Sequence, residues 1–314
     1  GTVYYDGEYH LFYQYDPSRG GKIGSNMHWG HAVSRDLIHW EHLPIALGVT
    51  PQRGQNYSGS AIVDNNNDSG LQEGKEKTMI AFYTRRMKYL WEIHDFDVDS
   101  SHQTMAYSND RGRTWTHIDE PAVKGITATN RDPKVFWHDE TQRWIMVFAI
   151  RDGFDFYSSS NLKNWQYESH VSGYHDCPDI FHLNVDGNPN KKKWVLLGGS
   201  GDYAIGDFDG HQFTPDHKGT FKNVAGPVYA TQSFANSPDG EKRRVHIAWF
   251  RTDWGSKQAN EIPDWKDEGL PFRQAFSFPL ELTLVTTENG VRVLTNPVKE
   301  ITALQGEKRT YKSK

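Results

Sequence analysis

Two acidic residues precede a proline where a predicted strand begins. Asp132 lies in an Arg-Asp-Pro run and Asp176 in an Asp-Cys-Pro-Asp run, each directly before a short apolar strand. A pair of carboxyl groups can supply the proton donor and the nucleophile of glycoside hydrolysis, about 5–5.5 Å apart when the configuration is retained. An Asp-Pro step is equally a device for starting a strand. Arg131 favours chemistry at Asp132, because a guanidinium keeps a carboxylate ionised and can donate to substrate hydroxyls.

Other residues that could do chemistry give weaker signals. His28 and His31 are three residues apart, but the spacing supplies no matching ligands and predicts no metal site. Nucleophile elbows, phosphate-binding glycine loops and Cys–His signatures do not occur, and no cofactor is predicted. Tryptophans can stack on sugar faces, although most tryptophans in β-proteins are packing residues. The candidates are Trp29, Trp91, Trp137 and Trp254.

Short alternating runs separated by Gly, Asn, Asp and Pro predict an all-β fold. No stretch shows sustained helical periodicity, and the 13% of aromatic residues favours strands over helices. The predicted strands cover residues 8–15, 29–34, 59–64, 78–84, 103–108, 134–137, 144–150, 179–183, 193–197, 203–208, 244–249 and 280–286.

Three segments share one design, a strand that ends in Ser followed by a polar turn and then Trp. They are residues 31–40, 105–115 and 156–165. Their tryptophans are 75 and 50 residues apart, which suits four-stranded propeller blades with loops of variable length. One such turn is ordinary β-turn chemistry, but three copies predict a radial fold. The innermost strands of a propeller line its axis, so the two acidic residues would converge on one polar funnel.

Composition excludes several classes of protein. The chain has 314 residues and a net charge of −5, with no basic footprint for a nucleic-acid partner. The mean hydropathy is −0.76 and no apolar run of about 18 residues occurs, so no membrane span is predicted. The length allows one large β-domain. Cys177 stands alone, which rules out an intrachain disulfide and leaves the redox compartment open.

Five runs occur in order along almost the whole chain, at residues 9–17, 28–32, 57–61, 131–133 and 177–179. Together they resemble glycoside hydrolase family 32, the invertases, inulinases and levanases. The resemblance implies a five-bladed β-propeller whose funnel binds the terminal fructosyl unit of a fructose-containing oligosaccharide or polysaccharide. Hydrolysis would follow a double displacement through a covalent fructosyl-enzyme. This substrate class implies an extracellular or periplasmic enzyme.

The resemblance also implies roles for individual residues. Asp132 matches the transition-state stabiliser that holds fructose hydroxyls, and Arg131 matches its partner. Asp176 stands at the acid/base position. The expected substrate-binding residues are Gln14, Tyr57, Ser58, Arg131 and, as a stacking candidate, Trp254.

Three departures accompany the resemblance. The family nucleophile is the Asp of a Trp-Met-Asn-Asp-Pro-Asn-Gly run whose last Gly corresponds to Gly1, so we expect residues 1–314 alone to be inactive. The family has Glu where this chain has Asp176, and the shorter side chain is expected to slow protonation of the leaving group. Ile23 stands where many members have Trp. A non-catalytic fructan-binding propeller is therefore the alternative function.

We expect residues 1–295 to form the propeller, with an incomplete first strand. Residues 296–314 are expected to be a linker toward an absent C-terminal β-sandwich. An arabinanase or another five-bladed glycosidase fits less well, because the Tyr-Gln-Tyr-Asp-Pro and Ser-Gly-Ser-Ala runs suit fructosyl enzymes better. The preferred substrate and the oligomeric state stay open.

Overall fold

The computed structural model describes residues 1–17, 26–86, 101–220, 228–250 and 275–307. Regular structure in these ranges is almost entirely β-strand, with a short 3-10 helix at Lys299–Leu304, and no helix there is long and apolar enough to cross a membrane. The strands are β1 (Thr2–Tyr5), β2 (Glu8–Tyr15), β3 (His28–Ser34), β4 (Glu41–Leu47), β5 (Gln55–Asp64), β6 (Thr78–Arg86), β7 (Ser101–Ser108), β8 (Thr116–Val123), β9 (Arg131–His138), β10 (Arg143–Ile150), β11 (Gly153–Ser159), β12 (Gln166–Ser172), β13 (Asp179–Val185), β14 (Asn188–Leu197), β15 (Asp202–Phe208), β16 (Phe213–Thr220), β17 (Val228–Ser233), β18 (Arg244–Phe250), β19 (Ala275–Phe276), β20 (Leu280–Thr287) and β21 (Gly290–Pro297).

These strands form the five blades of a β-propeller, as the sequence predicted. Blades 1 to 4 are the antiparallel sheets β1–β4, β5–β8, β9–β12 and β13–β16. Blade 5 has the order β17-β18-β20-β21, and β19 pairs with the end of β18. A parallel bridge between Val185 and Leu284 joins blades 4 and 5.

Buried apolar clusters fill the seams between neighbouring blades. In β10 the odd-numbered residues 145–149 pack toward blade 4, and the even-numbered residues 144–150 pack toward blade 2. Successive side chains of a strand point to opposite faces, so a middle strand must be apolar on both. This explains the nearly unbroken apolar run of β10. Phe148 is 0% exposed, and its burial alone stabilises the fold by about 1.5–3 kcal/mol.

The seam between blades 5 and 1 closes the ring. Phe234 packs edge-on against Tyr9 at 5.4 Å between ring centroids. The Tyr4 backbone N–H donates to the Ala235 carbonyl at 2.9 Å. β1 is therefore an inner strand that is held on both sides.

The three Ser-turn-Trp segments connect the third and fourth strands of blades 1 to 3. In blade 1, Ser34 Oγ donates to Asp36 Oδ1 at 3.1 Å, and the indole N–H of Trp40 donates to the Leu37 carbonyl at 3.0 Å. The sequence repeat therefore corresponds to a repeated structural turn. The equivalent bonds are Ser108–Asp110, Trp115–Gly112, Ser159–Asn161 and Trp165–Leu162.

The first strands of the blades contact one another around the axis. Residues at the starts of β9 and β13 are thereby brought to the same end of the propeller. The contacts are Val135 N with Ser60 Oγ (3.0 Å), Lys134 Nζ with Asp179 Oδ1 (3.0 Å), Ser233 N with Asp179 Oδ2 (2.7 Å) and Thr2 Oγ1 with the Ser233 carbonyl (2.8 Å).

The segment after β21 packs on the propeller. Val298 is 1% exposed, and Arg243 donates to Glu300 Oε1 at 2.6 Å. Residue 296 lies inside β21. The division into a propeller of residues 1–295 and a linker of residues 296–314 stays a prediction.

Candidate active site

Arg131, the first residue of β9, lies between the two carboxyl groups that the sequence singles out. Its Nε donates to Asp176 Oδ1 at 2.6 Å and lies 3.8 Å from Asp132 Oδ2. A second guanidinium N–H also donates to Asp176 Oδ1, and Nη1 donates to the Thr129 carbonyl. The structure thus brings Asp132 and Asp176 together from neighbouring blades.

Asp132 is fixed on almost every side. The residue is 6% exposed, and its backbone N–H donates to Thr84 Oγ1 at 2.8 Å. Its Oδ2 accepts from the Cys177 backbone N–H at 2.9 Å and from Cys177 Sγ at 3.5 Å. Burial raises the pKa of Asp132, although the charge of Arg131 and the Cys177 N–H oppose this shift. The carboxyl group is therefore positioned before any ligand arrives.

Asp176 is more accessible and is held by two donors. Its side chain is 22% exposed, its Oδ1 accepts from Arg131, and its Oδ2 accepts from the Tyr229 hydroxyl. Burial alone would raise its pKa, but the Arg131 charge and the Tyr229 hydrogen bond outweigh burial and lower the pKa. Asp176 is thus an ionised carboxylate at neutral pH.

Tyr229 is a site residue that the sequence analysis missed. It lies in β17, more than fifty residues from Asp176, in a segment without a recognisable motif. A register shift in β17 between Tyr229 and Gln232 aims the side chain at the funnel. Burial and the neighbouring Asp176 raise the pKa of Tyr229, which stays a hydrogen-bond donor.

Four residues at this end of the axis have a left-handed backbone conformation. Asp132, Asp176, Cys177 and Ala230 have φ angles of 63°, 55°, 42° and 52°. A non-glycine residue in this left-handed region costs about 1–2 kcal/mol. The surrounding contacts maintain these conformations, which aim both carboxyl groups at one space.

Three of the predicted sugar-contacting residues, Gln14, Tyr57 and Ser58, lie on blades 1 and 2. Gln14, at the exposed end of β2, donates to the Asn56 carbonyl at 3.3 Å. The Tyr57 ring lies under the guanidinium of Arg86 at 5.2 Å, and Ser58 follows in β5, partly buried. Arg86, which the sequence analysis also missed, is 6% exposed and within electrostatic reach of the Asp132 site. No contact in the described part of the chain places Ser58 at the carboxyl pair.

The tryptophan candidates divide into three groups. Trp29 is 1% exposed and donates to the Tyr57 carbonyl at 2.9 Å, so the suggestion that it stacks on a sugar is wrong. Trp137 packs against Trp144 at 5.2 Å between ring centroids. Trp91 and Trp254, like Ile23, lie outside the described residues.

The four histidines between residues 28 and 42 do not share a ligand geometry. His31 is buried against His10, with their ring nitrogens 3.1 Å apart. The others contact the Asn26 carbonyl, Asp36 and Tyr13. Within the ranges that the structure describes, no group of three or more His, Cys, Asp or Glu residues is arranged to hold a metal ion.

Residues 1–297 match the family model described as the glycosyl hydrolases family 32 N-terminal domain. The chain belongs to glycoside hydrolase family 32. A levanase of Bacillus subtilis (strain 168) is 43% identical to this family 32 chain, over 100% of the chain and 46% of the levanase. The extracellular exo-inulinase inuE of Aspergillus niger is 33% identical, over 99% of the chain and 64% of the inulinase. The chain thus spans about half the length of these relatives.

Solved structures of family 32 enzymes have the same fold. The exo-inulinase from Aspergillus awamori superposes with a TM-score of 0.79 at 31% identity, over 95% of this chain and 63% of the inulinase. The β-fructofuranosidase from Schwanniomyces occidentalis, complexed with fructosyl-erythritol, has a TM-score of 0.76 at 29% identity, over 95% of this chain and 59% of that chain.

Proposed function

We propose that a protein carrying this family 32 chain releases terminal β-fructofuranosyl units from sucrose, inulin or levan by a retaining double displacement. The observation that carries the proposal is Arg131, which brackets Asp132 and Asp176 where adjacent inner strands begin. Convergent carboxyl groups are what glycoside hydrolysis requires. The names of the similar levanase and exo-inulinase support a fructan substrate.

Asp132 would stabilise the transition state. Its carboxylate would accept hydrogen bonds from fructose hydroxyls and face the positive charge that develops on the sugar ring. A buried, preorganised charge acts strongly there, because little reorganisation is needed during the reaction. The charge of Arg131 opposes the burial that raises the pKa of Asp132.

Asp176 would exchange one proton in each step. In the first step its protonated form donates to the leaving oxygen while a nucleophilic carboxylate attacks the anomeric carbon. In the second step its ionised form takes a proton from the water that releases the sugar. The lowered pKa suits the second step directly. The first step requires bound substrate to draw Arg131 away, so that burial dominates and the pKa rises.

We also propose that the nucleophile is the Asp of a Trp-Met-Asn-Asp-Pro-Asn-Gly run whose last Gly stands at Gly1. The Gly1 amine donates to the Phe12 carbonyl at 2.9 Å and is within electrostatic reach of Lys134 and Cys177. A chain extended upstream would therefore enter the funnel near the carboxyl pair.

The test is to join Trp-Met-Asn-Asp-Pro-Asn to Gly1 and measure fructose release from sucrose, inulin and levan. We expect turnover by the extended protein and none by residues 1–314. Asp132→Asn should lower kcat about 10²–10³-fold, because one stabilising group is lost. Glu120→Gln is the matched control, since its side chain is 79% exposed on β8. Turnover by residues 1–314 without the added run would refute the role given to its Asp.

A non-catalytic fructan-binding propeller is the second candidate function. It is favoured by the lowered pKa of Asp176 and by the two donors that hold this short side chain. Calorimetry separates the two functions. An extended protein that binds fructose, loses this binding with Asp132→Asn and releases no fructose would establish the second candidate.

A further inference from the structure

An aromatic path leads outward from the candidate active site. Tyr229, which donates to Asp176, packs edge-on against Trp249 at 6.2 Å between ring centroids. Trp249 is paired with Phe276 across the β18–β19 ladder. Directly opposed residues on antiparallel strands place their side chains on the same face. Phe276 therefore continues the path begun at Tyr229.

The path crosses from blade 5 to blade 1. Phe276 lies 6.0 Å from Tyr13 between ring centroids, and Tyr13 lies 6.3 Å from Tyr15. The Tyr13 hydroxyl is fixed 2.9 Å from His42 Nδ1. We call Tyr13, Tyr15 and Phe276 the rim platform.

The rim platform is contiguous, and two of its three rings are exposed. Tyr15 is 40% exposed and Phe276 is 44% exposed. Single exposed aromatic residues are common on protein surfaces, but a cluster beside a ligand site marks a binding surface. The rings meet at 71° and 75°, edge to face, so they are not stacked on one another.

We propose that the rim platform binds the sugar units of a fructan chain that follow the unit held in the funnel. The inference rests on the proposed function, because it takes the terminal unit to lie at Asp132. Aromatic faces supply apolar contact to the C–H faces of sugars, and uncharged rings suit a neutral polymer. Gln14 lies between the two tyrosines in β2 and reaches the Asn56 carbonyl, so one strand serves both sites.

This arrangement should give long substrates a higher affinity than short ones. A single fructose at Asp132 does not reach Tyr15, whereas a polymer that leaves the funnel along Trp249 crosses the whole platform. The platform therefore adds affinity for inulin or levan and none for fructose.

The experiment compares affinities by isothermal titration calorimetry with fructose, inulin and levan. The variants are Tyr15→Ala and Phe276→Ala, with Tyr167→Ala as control, since Tyr167 is 52% exposed on the outer strand β12 of blade 3. We expect each platform variant to bind polymer about five- to tenfold more weakly, the loss when one ring face is removed. Fructose binding stays unchanged, and Tyr167→Ala behaves as the parent.

The outcomes separate this inference from the proposed function. Equal polymer affinities for the parent and the platform variants would reject the role of the rim platform. If Asp132→Asn nevertheless lost fructose binding, the assignment of the funnel as the fructose site would stand. A platform effect without any effect of Asp132→Asn supports the platform and rejects the funnel assignment. A parent chain that binds neither polymer rejects both. The larger fold-change among inulin and levan identifies the linkage that the platform fits.

Discussion

Two ion pairs connect β9 with the beginning of β13. Their members are three residues apart in each segment, at 131 and 134 and at 176 and 179. Arg131 pairs with Asp176 at the funnel, and Lys134 pairs with Asp179 at 3.0 Å below it. The upper side chains are 29% and 22% exposed, whereas both lower side chains are 0% exposed. The upper ion pair, Arg131 with Asp176, thus belongs to the candidate ligand site, whereas the lower ion pair, Lys134 with Asp179, stabilises the fold.

The lower pair is closed by its surroundings. Lys134 Nζ also donates to the Ser233 carbonyl at 2.9 Å, and Asp179 Oδ2 accepts from the Ser233 N–H at 2.7 Å. These bonds connect the inner strands of blades 3, 4 and 5. Burial lowers the pKa of Lys134, although Asp179 opposes this shift. Only the upper pair can exchange a protein partner for a substrate hydroxyl.

Among these variants, Lys134→Met should have the largest effect on the free energy of unfolding. The change leaves Asp179 buried without its cation, which costs about 3–5 kcal/mol of unfolding free energy. Urea denaturation measures this loss. The double variant Lys134→Met/Asp179→Leu should recover most of it, because both charges of the pair are removed together. Equal losses in the single and double variants would show that the pair's charge is not the cause.

The lower region should also be the more sensitive to mild acid. His246 is 4% exposed, and burial lowers its pKa to about 4 from its ordinary value of 6.5. The unfolded chain takes up a proton that the folded chain excludes, so stability falls as pH drops from 6.5 to 4, by about 3 kcal/mol.

The measurement is the unfolding free energy of parent and His246→Gln across this pH range. On unfolding within this pH range, the variant should take up about one proton fewer than the parent, so its stability should depend less steeply on pH. His10 and His31, whose pKa values burial lowers to about 4 and about 3, contribute to both proteins and cancel in the difference. Parallel pH slopes would contradict the role given to His246.

At the upper ion pair, Asp176→Glu should raise the rate of fructose release by the extended protein about tenfold. This corresponds to an activation barrier that is lower by about 1.4 kcal/mol. The added methylene brings the carboxyl closer to the leaving oxygen, which a proton donor must approach within about 2.6–3.2 Å. Single-turnover kinetics on sucrose tests this expectation. An unchanged rate would mean that reach does not limit protonation.

The smallest expected effect on stability is that of Arg131→Met, about 1 kcal/mol or less, because the pair is partly exposed to solvent. The same variant should raise the pKa of Asp176, since burial is no longer opposed by the guanidinium. Carbon NMR of the Asp176 carboxyl measures that pKa. If Arg131→Met lowered the unfolding free energy as much as Lys134→Met does, the two ion pairs would not differ in their role.

Sequence patterns predicted the inner and middle strands better than the outer ones. The run 8–15 matches β2 residue for residue, whereas β4, β8, β12 and β16 were not predicted. These outer strands expose most of their side chains, for example in β12, so they show no apolar alternation. Their pairing comes from a neighbouring strand and not from their own composition.

The candidate site was predicted only as far as local motifs reach. Asp132 and Asp176 were predicted as site residues because Asp132 is followed by Pro and Asp176 by Cys-Pro. Tyr229, Thr84 and Arg86 were not, because their contacts cross blades between segments that are distant in sequence. The left-handed backbone of both carboxyl residues also depends on those long-range contacts.

The Ser-turn-Trp connections have a consequence for how the chain folds. Each one closes hydrogen bonds between residues only two or three positions apart, as in Ser34 with Asp36 and Trp40 with Leu37. Local closure has a small entropic cost, so three outer hairpins can form early. The ring, whose closure brings Ala235 to Tyr4, is then assembled from hairpins that already exist.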